Sequence, residues 1–248
     1  MNKKVILCAI LFLALAQLRS QTNTSSTPNS RIPLLGEEAP AFIAESTNGT
    51  IEFPGQYGGK WKILFSHPAD FTPVCSTEIM ELALMQQDFK DLNTQIVVIS
   101  TDDIKRHRTW VDAMENTLLK EDKPVKIKFP LVDDSKYGVC WEYGMITPSN
   151  DSKHAVRGVF IIDPKNKIRS ISFSPSSVGR NLDEVKRTLV ALQTADKNTV
   201  LTPVNWKPGD DVLLPYPNSV TYYENKNKKA ADGTNTLDGL LLYTKLEK

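Results

Sequence analysis

Apolar residues in this chain arrive in short blocks that switch between two periods. Four blocks, KILFSH (62–67), QIVVIST (95–101), VRGVFIID (156–163) and KIRSISFS (167–174), are rich in Ile, Val and Phe and predict β-strands. Between them the spacing becomes helical. Ile79, Leu82, Ala83 and Phe89 share one face of a helix expected from about Cys75 to Lys90, with Asp70, Thr72 and Glu78 offering polar groups around its start. A second helix is expected from about Asp103 to Leu119, and NLDEVKRTLVALQTA forms a third, with Leu182, Val185, Leu189 and Leu192 on its buried side. PKN between the last two strands is a hairpin signal. Strands alternating with helices predict an α/β layered fold with a partly parallel sheet.

The ends of the chain follow other patterns. A basic MNKK, the apolar run VILCAILFLALA and the small-x-small sequence Ala14-Leu15-Ala16 predict a secretory signal peptide over residues 1–20. As a helix that run spans about 18 Å, short of the ~30 Å hydrocarbon core, so no stable membrane insertion is expected. The mature chain is expected to begin near Gln17 or Gln21 and to be secreted or periplasmic. QTNTSSTPNS lacks apolar periodicity and predicts a disordered tether over 21–31, with the main domain over 32–199. From Val200 the chain is proline-rich and without a long period, which predicts a smaller C-terminal module or arm over 200–248.

Charge narrows the partners. With 30 basic and 29 acidic residues and a formal net charge of +1, nothing favours nucleic acid or an anionic membrane as the main partner; small molecules or proteins remain. Of the 3 cysteines, Cys8 lies in the signal, leaving Cys75 and Cys140. No Cys-x-x-Cys or His-x-x-x-His pair occurs, so no metal is expected.

Cys75 is distinguished by its place: in HPADFTPVCSTE (67–78) it follows a strand and opens a helix. Only the thiolate of a cysteine attacks, and free N–H groups of a first helical turn and a nearby guanidinium both favour that form. Arg157, at the start of a strand, is a candidate to deliver the guanidinium. Thr72, three residues before Cys75, offers a hydroxyl that can donate or accept in the same pocket; the plainer reading is that Thr72 and Pro73 only shape a turn. Pro68 and Pro73 stiffen the loop.

Pro68-Ala-Asp-Phe-Thr72-Pro-Val-Cys75 has the Pro-x-x-x-Thr-x-x-Cys spacing of the peroxiredoxins, and SHPADFTPVCSTE resembles their one-cysteine branch. Three further segments are similar: ISTDDIKRHRTWV with His107 and Trp110, AVRGVFIIDP with Arg157, and SSVGRNLDEVKRTLVALQ with Arg180. The resemblance runs from about Ile32 to Pro217. It implies a thioredoxin-like fold, a central mixed sheet flanked by helices with a small C-terminal module, and thiol-dependent reduction of hydrogen peroxide and small organic hydroperoxides. Carried over by residue, it implies Cys75 as peroxidatic nucleophile, Thr72 and Arg157 binding and aligning the peroxide, Pro68 shielding the thiolate and Glu78 holding the arginine, with Arg180 in support. His67 matches a histidine beside the cysteine, which either protonates the leaving group or closes the pocket wall. The resemblance also implies no cofactor, an external thiol reductant (glutathione or a thioredoxin-like protein) and a homodimer or larger homo-oligomer.

The chain departs from the family pattern in two places. Two-cysteine relatives carry a resolving cysteine in a Val-Cys-Pro segment; here Asn205 stands there, in TPVNWKPGD, and no cysteine follows Cys140. Cys140, in the aromatic segment YGVCWEYGM, is expected to be a packed thiol, the alternative being an atypical two-cysteine enzyme. Some one-cysteine relatives also act as phospholipases through a serine, histidine and aspartate. Ser66 matches the serine, but Pro54 and Lys165 occupy the other two positions, and a serine without its base is a poor nucleophile. A reading of another class, a redox-responsive interaction protein with negligible turnover, is set against catalysis by the joint presence of Pro68, Thr72, Cys75 and Arg157.

Overall fold

The computed structural model describes residues 32–120, 123–146, 154–215, 235–237 and 241–246. The signal peptide and tether expected over 1–31 lie outside them. In chain order the strands are β1 (Phe42–Ala44), β2 (Ile51–Phe53), β3 (Trp61–Ser66), β4 (Thr94–Ser100), β5 (Leu119–Lys120), β6 (Lys123–Pro124), β7 (Leu131–Asp133), β8 (Arg157–Ile162) and β9 (Ile168–Ser174). The helices are α1 (Pro73–Asp91), α2 (Ile104–Glu115), α3 (Gly138–Glu142) and α4 (Leu182–Asn198). β10 (Val212–Leu213), β11 (Asn235–Leu237) and β12 (Leu241–Thr244) follow.

The central sheet has the order β7-β4-β3-β8-β9, with β3 parallel to β4 and antiparallel to β8. It is the mixed sheet of a thioredoxin-like fold, flanked by helices. Every residue of β3 is buried, as suits a strand in mid-sheet, and the buried Lys62 ammonium donates to the carbonyls of Gly58 and Asp163 and to Asn166 Oδ1. Alternation along the strands divides the core in two. Ile63, Phe65, Ile96, Val98, Val159 and Ile161 pack with α1, α2 and α4, whereas Leu64, Val97, Ile99, Phe160 and Ile162 pack with α3 and the β1–β2 hairpin.

The apolar face expected of α1 is the one it buries: Ile79, Leu82, Ala83 and Phe89 all lie in the first cluster. Pro73 at its first position suits a helix start, and Asn93, left-handed at φ 50°, ends it. Two boundaries differ from expectation. α2 stops at Glu115, short of Leu119, because Asn116 and Thr117 are weak helix formers and both Thr117 N–H and Leu118 N–H close back on the Met114 carbonyl. α4 continues past Ala195 to Asn198 and stops where Thr199 turns left-handed at φ 53°.

The hairpin signal at PKN is realised: β8 and β9 are antiparallel, joined through a turn in which the Asp163 carboxylate accepts from Lys165 N–H and Lys167 N–H. After Val200, β10, β12 and β11 form a small sheet, and Val200, Trp206 and Val212 pack with Ala191 of α4 in a third apolar cluster.

Candidate active site

The central strand β3 ends at Ser66, and the chain leaves it through His67 and Pro68, both buried. The loop turns at Phe71, left-handed at φ 61° and exposed, then enters α1 through Thr72 in an extended conformation. Cys75 is therefore the third residue of α1, inside the turn whose N–H groups lack intrahelical acceptors. It is fully buried.

A charged cluster surrounds its sulfur. Arg157 Nη1 donates to Cys75 Sγ at 3.3 Å and to Glu78 Oε2 at 2.7 Å. Arg157 Nε and Nη2 donate to the Ser176 carbonyl at 3.2 and 2.7 Å. Glu78 is shared: Arg180 donates to it from its backbone N at 2.8 Å, from Nε at 2.9 Å and from Nη2 at 2.7 Å. Arg180 Nη1 reaches the carbonyls of Ser66 and Gly158 at 2.7 and 2.9 Å, and its guanidinium lies 3.3 Å above the Phe65 ring. Burial works against a charged Glu78, but the hydrogen bonds and charge of Arg180, with the charge of Arg157, outweigh it and hold the carboxyl below its usual range. Two guanidinium groups face one carboxylate, so the buried cluster carries a net positive charge beside the Cys75 sulfur.

Gly158 makes room for this packing. A Cβ there would meet Ser66 Oγ at 3.0 Å and the Phe173 ring at 3.1 Å. Ser66 itself is buried and fully used, its hydroxyl donating to Val156 O at 2.6 Å and accepting from Gly158 N–H at 2.8 Å. It is a strand-bracing group without a base.

The Thr72 hydroxyl donates to the Ala69 carbonyl at 2.8 Å, which commits its proton locally and leaves its oxygen with acceptor capacity; it does not cap α1. His67 is buried 5.1 Å from the Trp110 ring, and burial, then the positive charges of His107, Arg180 and Arg157, push it well below the usual histidine range. Its ring packs on Trp110, with Nε2 3.5 Å from Asp70 Oδ1. Asp70, expected near the helix start, instead turns away from it: its carboxylate meets His107 Nδ1 at 2.7 Å, while His107 Nε2 meets Val132 O at 3.0 Å. Neither this pair nor the Ser176 carbonyl was expected from the sequence; the carbonyl is main chain and leaves no side-chain signature.

Cys140 lies in α3, buried in the apolar cluster on the other face of the sheet from Cys75. Burial pushes its thiol well up, and the neighbouring Asp134, which also accepts from Cys140 N–H at 2.7 Å, adds to the shift. Both cysteines are free. Asn205 has a positive reason for its place: it is left-handed at φ 58° in a turn closed by Trp206 N–H to Pro203 O, a conformation that asparagine tolerates.

A thiol held at a helix start by a buried arginine, on a thioredoxin-like sheet, defines a thiol-based oxidoreductase. Comparison with known proteins makes that class specific. Residues 35–171 match the AhpC/TSA family and residues 191–225 the C-terminal domain of 1-Cys peroxiredoxin. A peroxiredoxin of Methanosarcina mazei is 46% identical over 215 residues, 86% of this chain and 98% of that one. Among solved structures, the yeast mitochondrial 1-Cys peroxiredoxin superposes with a TM-score of 0.74 at 36% identity, covering 87% of this chain and 100% of that one. A cysteine-to-serine variant of peroxiredoxin 6 of Arenicola marina gives 0.73 at 30% identity, covering 87% and 99%. The chain belongs to the peroxiredoxins, in their one-cysteine branch, and is a thiol-dependent peroxidase.

Proposed function

We propose that Cys75 is the peroxidatic nucleophile and that Arg157 and Thr72 bind the peroxide against it. The thiolate attacks one peroxide oxygen; the S–O bond forms as the O–O bond breaks, the bonding pair leaves on the second oxygen, and that oxygen takes up a proton as water or alcohol. The single observation that carries this reading is Arg157 Nη1 held 3.3 Å from Sγ by a 2.7 Å bond to Glu78. That nitrogen sits where negative charge moves from sulfur to the leaving oxygen, and guanidinium stays charged throughout. The Thr72 oxygen is the acceptor for the hydroperoxide O–H. Glu78 and Arg180 hold Arg157, and Pro68 and His67 wall the thiolate off from water.

The sulfenic acid on Cys75 then awaits an external thiol, because Cys140 is on the opposite face of the sheet and Asn205 supplies no sulfur. The yeast mitochondrial relative resolves its thiol via glutathione/thioredoxin systems, which supports a reductant of the same kinds here. Export through residues 1–20 and assembly into a homodimer or larger homo-oligomer belong to the same proposal; the outer edge of β9 beyond Ile168, which has no strand partner among the described residues, supports the second. A peroxidase assay with dithiothreitol, glutathione and thioredoxin tests the reading: turnover with at least one donor is expected, absent in Cys75→Ser. Equal turnover in that variant refutes it.

A further inference from the structure

We infer that the turn Pro175–Val178 is a positioning element for peroxide reduction, acting through the main-chain carbonyl of Ser176; the inference rests on the roles proposed for Cys75 and Arg157. Arg157 spends Nη1 on Sγ and Glu78, and the opposite edge of its guanidinium, Nε and Nη2, ends on the single Ser176 oxygen at 3.2 and 2.7 Å. A carbonyl has two lone pairs, and among the described residues no backbone N–H competes for them. Ser176 presents its side chain to solvent while its carbonyl faces a buried guanidinium. The residue therefore contributes main chain, not hydroxyl.

The turn is built to hold that peptide still. Val178 N–H closes on Pro175 O at 3.1 Å, and the proline fixes its own φ. Upstream, Ser174 at the end of β9 pairs with Arg157 across the hairpin, so one hairpin supplies both the arginine and its clamp. Downstream, Gly179 lies against α1, where a Cβ would stand 3.4 Å from Val74 Cγ1, and Arg180 follows on Glu78. Residues 174–180 thus run from the base of Arg157 to the carboxylate that grips it. A planar guanidinium held on two edges keeps Nη1 aimed at sulfur, and moving the Ser176 peptide shifts that aim without altering Cys75, Arg157 or Glu78.

Two substitutions separate main chain from side chain. Ser176→Ala keeps the carbonyl and is expected to leave the peroxide rate constant unchanged. Ser177→Pro drives the residue before it toward extended backbone and redirects the Ser176 peptide. It is expected to slow peroxide reduction on the order of 10- to 100-fold. It is also expected to move the pH profile of Cys75 alkylation by iodoacetamide to higher pH, with thermal unfolding little changed. If Ser177→Pro does not fold, Pro175→Gly, which loosens the same turn, carries the test with the same expectations. A folded turn variant with full rate and an unshifted profile overturns the inference, as does a Ser176→Ala that is slowed equally. Arg157→Ala is the separating control. Slowed beside a normal turn variant, it rejects the turn alone; at full rate, it rejects the proposed role of Arg157.

Discussion

Glu78 is the residue on which the buried charges turn, since among the described residues it is the one carboxylate paired with both Arg157 and Arg180. Glu78→Gln leaves two buried guanidinium groups uncompensated and is expected to cost about 3–5 kcal/mol of stability. The pH dependence has a definite sign. The folded carboxyl sits below its usual range, so its contribution is present above about pH 4.3 and is lost as pH falls through the lower folded value. Denaturant unfolding from pH 6 down to 3 should show the wild type losing stability more steeply than Glu78→Gln; parallel curves contradict the assignment. Arg157→Ala removes the group nearest Sγ and is expected to slow peroxide attack by about 10²-fold or more. Stopped-flow tryptophan fluorescence measures it, and an unchanged rate shifts the role to Arg180.

At the scale of elements, His107 joins three of them: it lies on α2, bonds Asp70 in the loop before α1, and bonds the Val132 carbonyl on β7. A carbonyl only accepts, so Nε2 carries a proton, and the 2.7 Å contact to Asp70 needs one more between Nδ1 and the carboxylate. Burial opposes charge on His107, but Asp70 outweighs it and raises the imidazole above its ordinary value. The sign follows: this contribution is complete below about pH 6.5 and is lost as pH rises through the folded value. Wild type should therefore lose stability on alkalinisation where His107→Asn does not; identical slopes contradict it. This link also marks the limit of the sequence reading. The faces of α1 and α4 and the hairpin at PKN were legible because period and turn chemistry are local, whereas the grouping of Cys75 and Glu78 with Arg157, 82 and 79 residues away, was expected only through the family resemblance. Asp70 with His107, and Ser176 with Arg157, were not, because they are made by chain segments 37 and 19 residues apart and one of them by main chain. The end of α2 was misjudged for a related reason: Leu118 is apolar and continues the helical pattern, yet it packs into the core from a turn.

On the scale of the whole molecule, the sheet separates the two cysteines. Cys75 belongs to the face covered by α1, α2 and α4, Cys140 to the face covered by α3 and the β1–β2 hairpin, so a direct bridge requires the layers to come apart. Cys140→Ser is accordingly expected to keep full dithiothreitol-supported turnover, with a modest loss of stability from placing a hydroxyl in an apolar site, about 1–3 kcal/mol. The central claim is that one buried thiol does the chemistry and waits for a reductant from outside. It is tested most directly by mass spectrometry of the wild-type protein after one equivalent of hydrogen peroxide in the presence of dimedone. The account predicts a single dimedone adduct on Cys75 and an unmodified Cys140. A Cys75–Cys140 disulfide in the peptide map, or an adduct on Cys140 with Cys75 untouched, contradicts it.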